Sequence, residues 1–236
     1  MTDLKIKIYS DGAELDKMIA DYQGGRAKGF TTNPTLMKKA GVKDYVAFAK
    51  EALNAIPDLP ISFEVFADDF ETMEKEALKI ASFGDNVYVK IPIVNTKGDS
   101  AIPLIKRLSS QGLSLNITAI MTIEQVTETV SAFSEGTTNV VSVFAGRIAD
   151  TGIDPLPVMT EAVAICHSKA GTELLWASTR ELLNIFQANQ VGADIITSPP
   201  EILAKMSMVG MDLNQLSIET VKMFNRDIEA LGFTIL

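Results

Sequence analysis

The chain has 236 residues, 47% of them hydrophobic, and a formal net charge of −9. That length and apolar content support a sizeable core, while so acidic a surface repels phosphate backbones and anionic lipids and makes nucleic acid and membranes poor partners. A single cysteine, Cys166, excludes an intramolecular disulfide, a single histidine, His167, excludes a histidine-built metal cluster, and neither a metal nor a cofactor is expected.

Read in chain order, the start "MTDLKIKIYSD" has no signal-peptide core and no apolar run approaches the length of a membrane span, so a cytoplasmic location is expected. From there short β-type runs alternate with longer amphipathic stretches. The run "IKIYSD" (6–11) predicts a first strand ending on Asp11, and "GFTT" (29–32) a second. The latter leads into "TTNP" (31–34), a polar turn whose Thr31 and Asn33 can hydrogen-bond sugar hydroxyls. "ISFEVF" (61–66) carries Glu64 and precedes the helical pattern "DDFETMEKEALKIASFG", which opens on acidic residues as a helix start should. "NVYVKIPI" (86–93) is a buried-strand pattern interrupted by Lys90, and "LSLNIT" (113–118) is followed by "TIEQVTETVSAF". "VVSVF" (140–144), "ELLWAS" (173–178) and "ADIITS" (193–198) complete eight strand candidates, each followed by a helical pattern. His167 closes the helix "EAVAICHSKAG" and reads as a structural residue at a helix C-terminus. A last amphipathic stretch, 212–233, lies beyond the eighth unit and packs either on the rest of the chain or on a neighbouring subunit.

No linker or low-complexity segment divides the chain, so a single domain, 1–236, is expected. Strands alternating with helices indicate a parallel sheet, either open and doubly wound or closed. Neither a G-x-G-x-x-G nor a G-x-x-x-x-G-K-[ST] pattern follows any strand, which weakens a nucleotide-binding open sheet. The count of eight favours an α/β fold of the (β/α)8 TIM-barrel type with an extra C-terminal helix.

Side chains alternate faces along a strand. Asp11 shares its parity with Tyr9, Glu64 with Ser62, Lys90 with Tyr88, Thr118 with Asn116, and Ser142 with Phe144; in the seventh run, Trp176 and Ser178 oppose Leu175 and Ala177. One face is therefore apolar, and the other turns polar at the carboxyl ends of the strands, where barrel active sites are built. A lysine on that face can pair with a carboxylate, bind an anion, or act as an amine nucleophile toward a ketone or aldehyde. The last of these forms an imine without metal or cofactor and needs acid/base help, for which Asp11 and Glu64 are the carboxylates and Thr118 a residue able to hold water. Arg147 and Arg180, following strands six and seven, with Ser178 between strand and arginine, suit an anion at the position where barrels often bind phosphate.

Several blocks together resemble the transaldolase family: "GFTTNPTL" (29–36), "VYVKIPI", "LNIT" (115–118), "SVFAGRIAD" (142–150), "LLWASTR" (174–180) and "GADIITSPPEIL" (192–203), in the same order. The resemblance implies a (β/α)8 barrel that moves a dihydroxyacetone unit from a ketose phosphate to an aldose phosphate. It implies that Lys90 is the imine-forming lysine and that Asp11 exchanges the substrate hydroxyl proton. Glu64 and Thr118 position water. Thr31, Asn33, Asn116 and Ser142 line the sugar site, and Arg147, Ser178 and Arg180 hold the phosphate. The chain is similar in length to the small transaldolases, which assemble as rings, so a pentamer or decamer is expected, with 212–233 reaching a neighbour. Fructose 6-phosphate aldolases of the same superfamily tend to carry Gln where this chain has Glu64 and Tyr where it has Phe144. Those two positions favour the transferase over an aldolase with no obligatory acceptor. A non-catalytic sugar-phosphate binding protein is the third reading, and it would need none of the Lys90, Asp11 and Glu64 set. Thr179 stands where an aromatic is usual in the family, Trp176 is unusual beside the site, and the loop 94–103 is individual; a sulfonate could use the same arginines as a phosphate.

Overall fold

The computed structural model describes residues 4–233 and 235; residues 1–3, 234 and 236, which the expected bounds of 1–236 include, lie outside the described residues. Eight parallel strands close into a barrel: β1 (Lys7–Asp11), β2 (Phe30–Thr31), β3 (Ile61–Glu64), β4 (Val87–Pro92), β5 (Leu115–Ile120), β6 (Asn139–Val143), β7 (Thr172–Trp176) and β8 (Ile195–Ser198). Each pairs with its sequence neighbours, and β8 pairs back onto β1 in the register Lys7 to Ile195 and Tyr9 to Thr197. The helices follow as α1 (Leu15–Gln23), α2 (Pro34–Lys39), α3 (Tyr45–Ala55), α4 (Phe70–Ala81), α5 (Ile102–Ser110), α6 (Ile123–Ala132), α7 (Ala145–Asp150), α8 (Leu156–His167), α9 (Leu183–Val191), α10 (Pro200–Leu203) and α11 (Leu213–Leu231). The predicted (β/α)8 barrel with an extra C-terminal helix is the fold observed.

Local chemistry explains the helix starts. Asn33, Asp44, Asp69, Thr122 and Asp212 each accept a hydrogen bond from the backbone N–H three residues on, which satisfies a donor that has no partner within the helix. The predicted acidic opening of α4 is this cap, Asp69. The outward faces of the strands, including Ile61, Phe63, Val89, Ile91 and Ile117, are buried against the helices in one continuous core. A fully buried side chain of this size contributes about 1.5–3 kcal/mol.

The barrel interior holds a second, smaller cluster: Tyr9, Val140, Leu175, Ala177 and Ile195, with Tyr88 and Phe144 against it. Lys7 and Glu173, on the same inward parity, pair toward the amino ends of the strands. Gly29 is required here, because a Cβ at that position would lie 2.4 Å from the Tyr9 ring.

Two expectations are corrected. The fifth strand runs to Ile120 rather than stopping at Thr118. Its register on β6 shifts between Ile117 and Ile120, and Ala119 takes up the extra residue at φ 60°. This bulge re-aims the chain where it leaves the ladder. The other correction is Trp176. It does not share the site face with Ser178; it is buried in the core between barrel and helices, while Leu175 and Ala177 face the interior. The reason is that β7 ends at Trp176 and Ser178 lies beyond it at φ 65°, so strict alternation does not carry across. A small residue, Ala177, at the cavity wall leaves space that an indole would fill.

Candidate active site

A cavity of about 560 Å³ opens at the carboxyl ends of the strands, within the usual size range for small-molecule sites. Lys90 lies at its base, only 5% exposed. Its Nζ donates to the Thr32 carbonyl at 3.0 Å and lies 3.1 Å from Glu64 Oε2. The contact with Glu64 follows from the fold, since Glu64 and Lys90 are register partners on adjacent strands with side chains on the same face. The Glu64 carboxylate therefore stands within ion-pairing distance of the Lys90 amine.

Asp11 enters from β1. Its Oδ1 accepts a 2.7 Å hydrogen bond from Thr31 Oγ1, and the Thr31 hydroxyl also meets that of Thr197. Burial pushes the Asp11 carboxyl above the ordinary aspartate range; Lys90 and the Thr31 hydroxyl oppose that shift, and Glu201 adds to it. Thr118 is 2% exposed and lines the cavity, and its hydroxyl has no hydrogen-bond partner among the described residues. An orphan hydroxyl in a polar cavity is a place for water or a substrate oxygen. Asn33 lines the mouth with its Oδ1 committed to capping α2, which leaves its amide nitrogen as the group that can face a ligand.

Ser142 and Phe144 line the wall contributed by β6 and its exit. Asn116 does not reach the cavity. It is fully buried, accepts from Ser142 Oγ at 2.6 Å and donates to Ser62 Oγ at 2.9 Å, which makes it a brace tying β3, β5 and β6 behind the site. Arg147, Ser178 and Arg180 also line the cavity, and Gly146, next to Arg147, packs against Ser178 and Arg180. Arg180 is held by Asp150, with Nε to Oδ1 at 3.0 Å and Nη2 to Oδ2 at 2.5 Å, and its Nη1 donates to the Ser178 carbonyl at 3.2 Å.

The family described as Transaldolase/Fructose-6-phosphate aldolase matches residues 8–235. The chain belongs to the transaldolase/fructose-6-phosphate aldolase family. A protein named probable transaldolase from Ruegeria sp. (strain TM1040) is 33% identical over 233 residues, covering 98% of this chain and 100% of that relative. Similarly named proteins from Thermoanaerobacter sp. (strain X514) and Nitrosopumilus maritimus (strain SCM1) are 35% and 32% identical, covering 92% and 95% of this chain and 95% and 100% of the relatives. The family indicates a transaldolase-type enzyme. Among the described residues, no helix of this family member is long and apolar enough to cross a membrane.

Two residues of this transaldolase-family cavity, Thr197 and Glu201, escape sequence reasoning, and Thr179, noted only as a departure from the family, touches one of them. Thr197 bonds Thr31, Thr179 donates to the Thr197 carbonyl at 2.7 Å, and Glu201 contributes a third carboxylate to the mouth. Thr197 shares the inward parity of Ile195 and was legible by alternation. Glu201 lies in α10, beyond any strand pattern, and had no such signal.

The raised Asp11 pKa has a consequence for stability. A group protonated more readily in the folded state contributes stability below its unfolded pKa and loses it as pH rises through the folded value. For Asp11 that loss begins once pH rises above the ordinary aspartate value of about 4. Asp11→Asn is expected to raise Tm at pH 7.5, with the gain shrinking as pH falls toward the ordinary aspartate value of about 4 and gone below it. A Tm gain independent of pH, measured by calorimetry from pH 3 to 8, would contradict this.

Proposed function

We propose that the chain is a transaldolase working through a lysine Schiff base, transferring a dihydroxyacetone unit from a ketose phosphate to an aldose phosphate. The observation that carries this reading is a buried lysine inside a closed barrel with Glu64 at 3.1 Å. In this reading the Lys90 amine attacks the ketose C2 carbonyl and water leaves, giving an iminium that can accept electrons. Asp11 takes the proton of the C4 hydroxyl, the C3–C4 bond breaks, the shortened aldose departs, and an enamine remains on Lys90. The enamine attacks the acceptor aldehyde, Asp11 returns its proton to the new hydroxyl, and water, positioned by Glu64 and Thr118, hydrolyses the iminium to release product. Thr31, Asn33 and Ser142 hold sugar hydroxyls, with Asn116 acting through Ser142, and Arg147, Ser178 and Arg180 hold the terminal phosphate. Phe144 closes the wall with a ring that has no proton to donate.

The test is reduction with borohydride in the presence of fructose 6-phosphate, followed by peptide mass analysis. A three-carbon adduct on Lys90 supports the reading, and its absence returns the chain to a sugar-phosphate binding role. Turnover that requires erythrose 4-phosphate identifies a transferase; equal cleavage without it identifies an aldolase. Glu64 and Phe144 favour the transferase.

The protein is further proposed to work as a homo-oligomer. Leu213, Val221, Phe224, Ile228 and Leu231 lie along one face of α11 and are all more than half exposed, and no residue of that helix is buried by its own chain. Such a continuous apolar stripe is a surface for another subunit. Light scattering is expected to give a mass several times that of one chain; a monomer at micromolar concentration would refute it.

A further inference from the structure

Arg180, which lines the cavity with Arg147, is paired to a carboxylate outside the cavity lining that the catalytic scheme does not use. Asp150 is the last residue of α7, and Arg147 lies one turn earlier on the same helix. Asp150 accepts from Arg180 through both of its oxygens, engaging the Nε and Nη2 edge of the guanidinium side-on. The Ser178 carbonyl takes a third N–H. A guanidinium has five N–H groups in a fixed plane. Three are committed, so two remain, one on Nη1 and one on Nη2. The Arg180 hydrogen bond holds the Asp150 carboxyl below its usual range, with further help from the Arg147 charge, so Asp150 is a carboxylate wherever this protein is studied near neutral pH.

The two segments carrying these groups are joined at one point. Gly146 packs so close to the Ser178 carbonyl that a Cβ would lie 1.7 Å from its oxygen, and its N–H points at the Ala177 carbonyl at 3.4 Å. Arg147 and Asp150 on α7 and Ser178 and Arg180 on the loop after β7 therefore sit on one fixed seam.

We infer that Asp150 is a positioning residue for the anion end of the cavity: it clamps one edge of the Arg180 guanidinium so that the two remaining N–H groups are presented, beside Arg147, to the terminal phosphate of a sugar substrate. This rests on the proposed transferase reading and adds a residue to it. Two effects oppose each other. Asp150 removes one unit of positive charge from the site, which weakens attraction for a dianion; it also fixes a long side chain in advance, which removes the ordering cost from binding. The pair is half-exposed, with side chains 43% and 52% accessible, where Coulomb terms are screened and small. Orientation therefore outweighs charge.

The test is steady-state kinetics of the full chain at saturating donor, with glyceraldehyde 3-phosphate and D-glyceraldehyde as acceptors, for the wild type, Asp150→Asn and Asp150→Glu. Calorimetric titration with inorganic phosphate accompanies it. Asp150→Asn is expected to raise KM for glyceraldehyde 3-phosphate about tenfold more than KM for D-glyceraldehyde, an effect of the size expected for one well-oriented charged contact. Asp150→Glu is expected to recover part of it, and inorganic phosphate is expected to bind Asp150→Asn more weakly. Unchanged or tighter phosphate binding and an unchanged or lowered KM would show that Asp150 competes with the anion or only decorates the surface, and would overturn the inference. If borohydride trapping of the wild type fails, it is the transferase reading that falls; the phosphate titration still decides the role of Asp150.

Discussion

Lys90→Ala is expected to lower kcat by about 10⁴-fold or more, the scale set by removal of the proposed covalent nucleophile, and to abolish borohydride trapping while leaving the fold intact. The reasoning is local. Lys90 Nζ has two polar contacts, the Thr32 carbonyl and Glu64, and its aliphatic stem lies in a cavity wall, not in the packed layer between barrel and helices. Truncation enlarges an existing cavity instead of opening one in the core. A buried ammonium stabilises a fold only weakly, because desolvation offsets much of what pairing contributes. A wild-type circular dichroism spectrum with an unchanged or slightly raised Tm should therefore accompany the loss of activity, the usual trade-off at a functional site. Lys90→Met, which restores the volume, should behave the same way. Retention of trapping in either variant would move the nucleophile elsewhere and end the proposed chemistry.

Gly146→Ala is the second large effect, and it requires no contact with the reacting atoms. A methyl group at position 146 would sit 1.7 Å from the Ser178 carbonyl oxygen, and that oxygen is backbone, so it cannot rotate away. Restoring ordinary contact means moving the loop that carries Ser178, Thr179 and Arg180 by roughly 1.5 Å, and a misplacement of about 1 Å at a binding site can cost 10²-fold. Ser178 is already in the left-handed region at φ 65°, where a non-glycine residue has little room to adjust. The expected result is a rise of about 10²-fold in KM for phosphorylated acceptors, with a destabilisation on the order of 1–3 kcal/mol from overpacking. Trapping of the adduct on Lys90 should survive at high donor concentration, because the Lys90, Glu64 and Asp11 group stands on β1, β3 and β4. Wild-type KM and Tm together would show that the seam yields at no cost.

The two substitutions separate the proposed chemistry from the proposed anion site, and the sequence revealed these two regions unequally. The alternation of strand and helix patterns, eight times over, follows from side-chain periods of 2 and 3.6, which are local properties of the chain. So does the inward parity of Asp11, Glu64 and Lys90, because the strands carrying them are short and regular up to the functional residue. The caps Asn33, Asp69 and Asp212 are equally local, needing only the residue and the N–H three positions on.

What the tertiary structure alone decided are the facts that depend on pairing between distant segments or on backbone that leaves regular geometry. Closure rests on β8 finding β1 across nearly the whole chain. The Lys90 to Glu64 distance rests on the register of β3 against β4. Trp176 turned outward, and β5 ran two residues further, because Ser178 and Ala119 adopt positive φ and break the alternation on which a parity argument relies. Asn116 became a brace because Ser62 and Ser142 come from other strands to meet it. Asp150 is a surface acid in any linear reading; it gains a role only where Arg180, thirty residues later, folds back onto it. Periodicity determines which way a side chain points, whereas register and strain determine what it meets there.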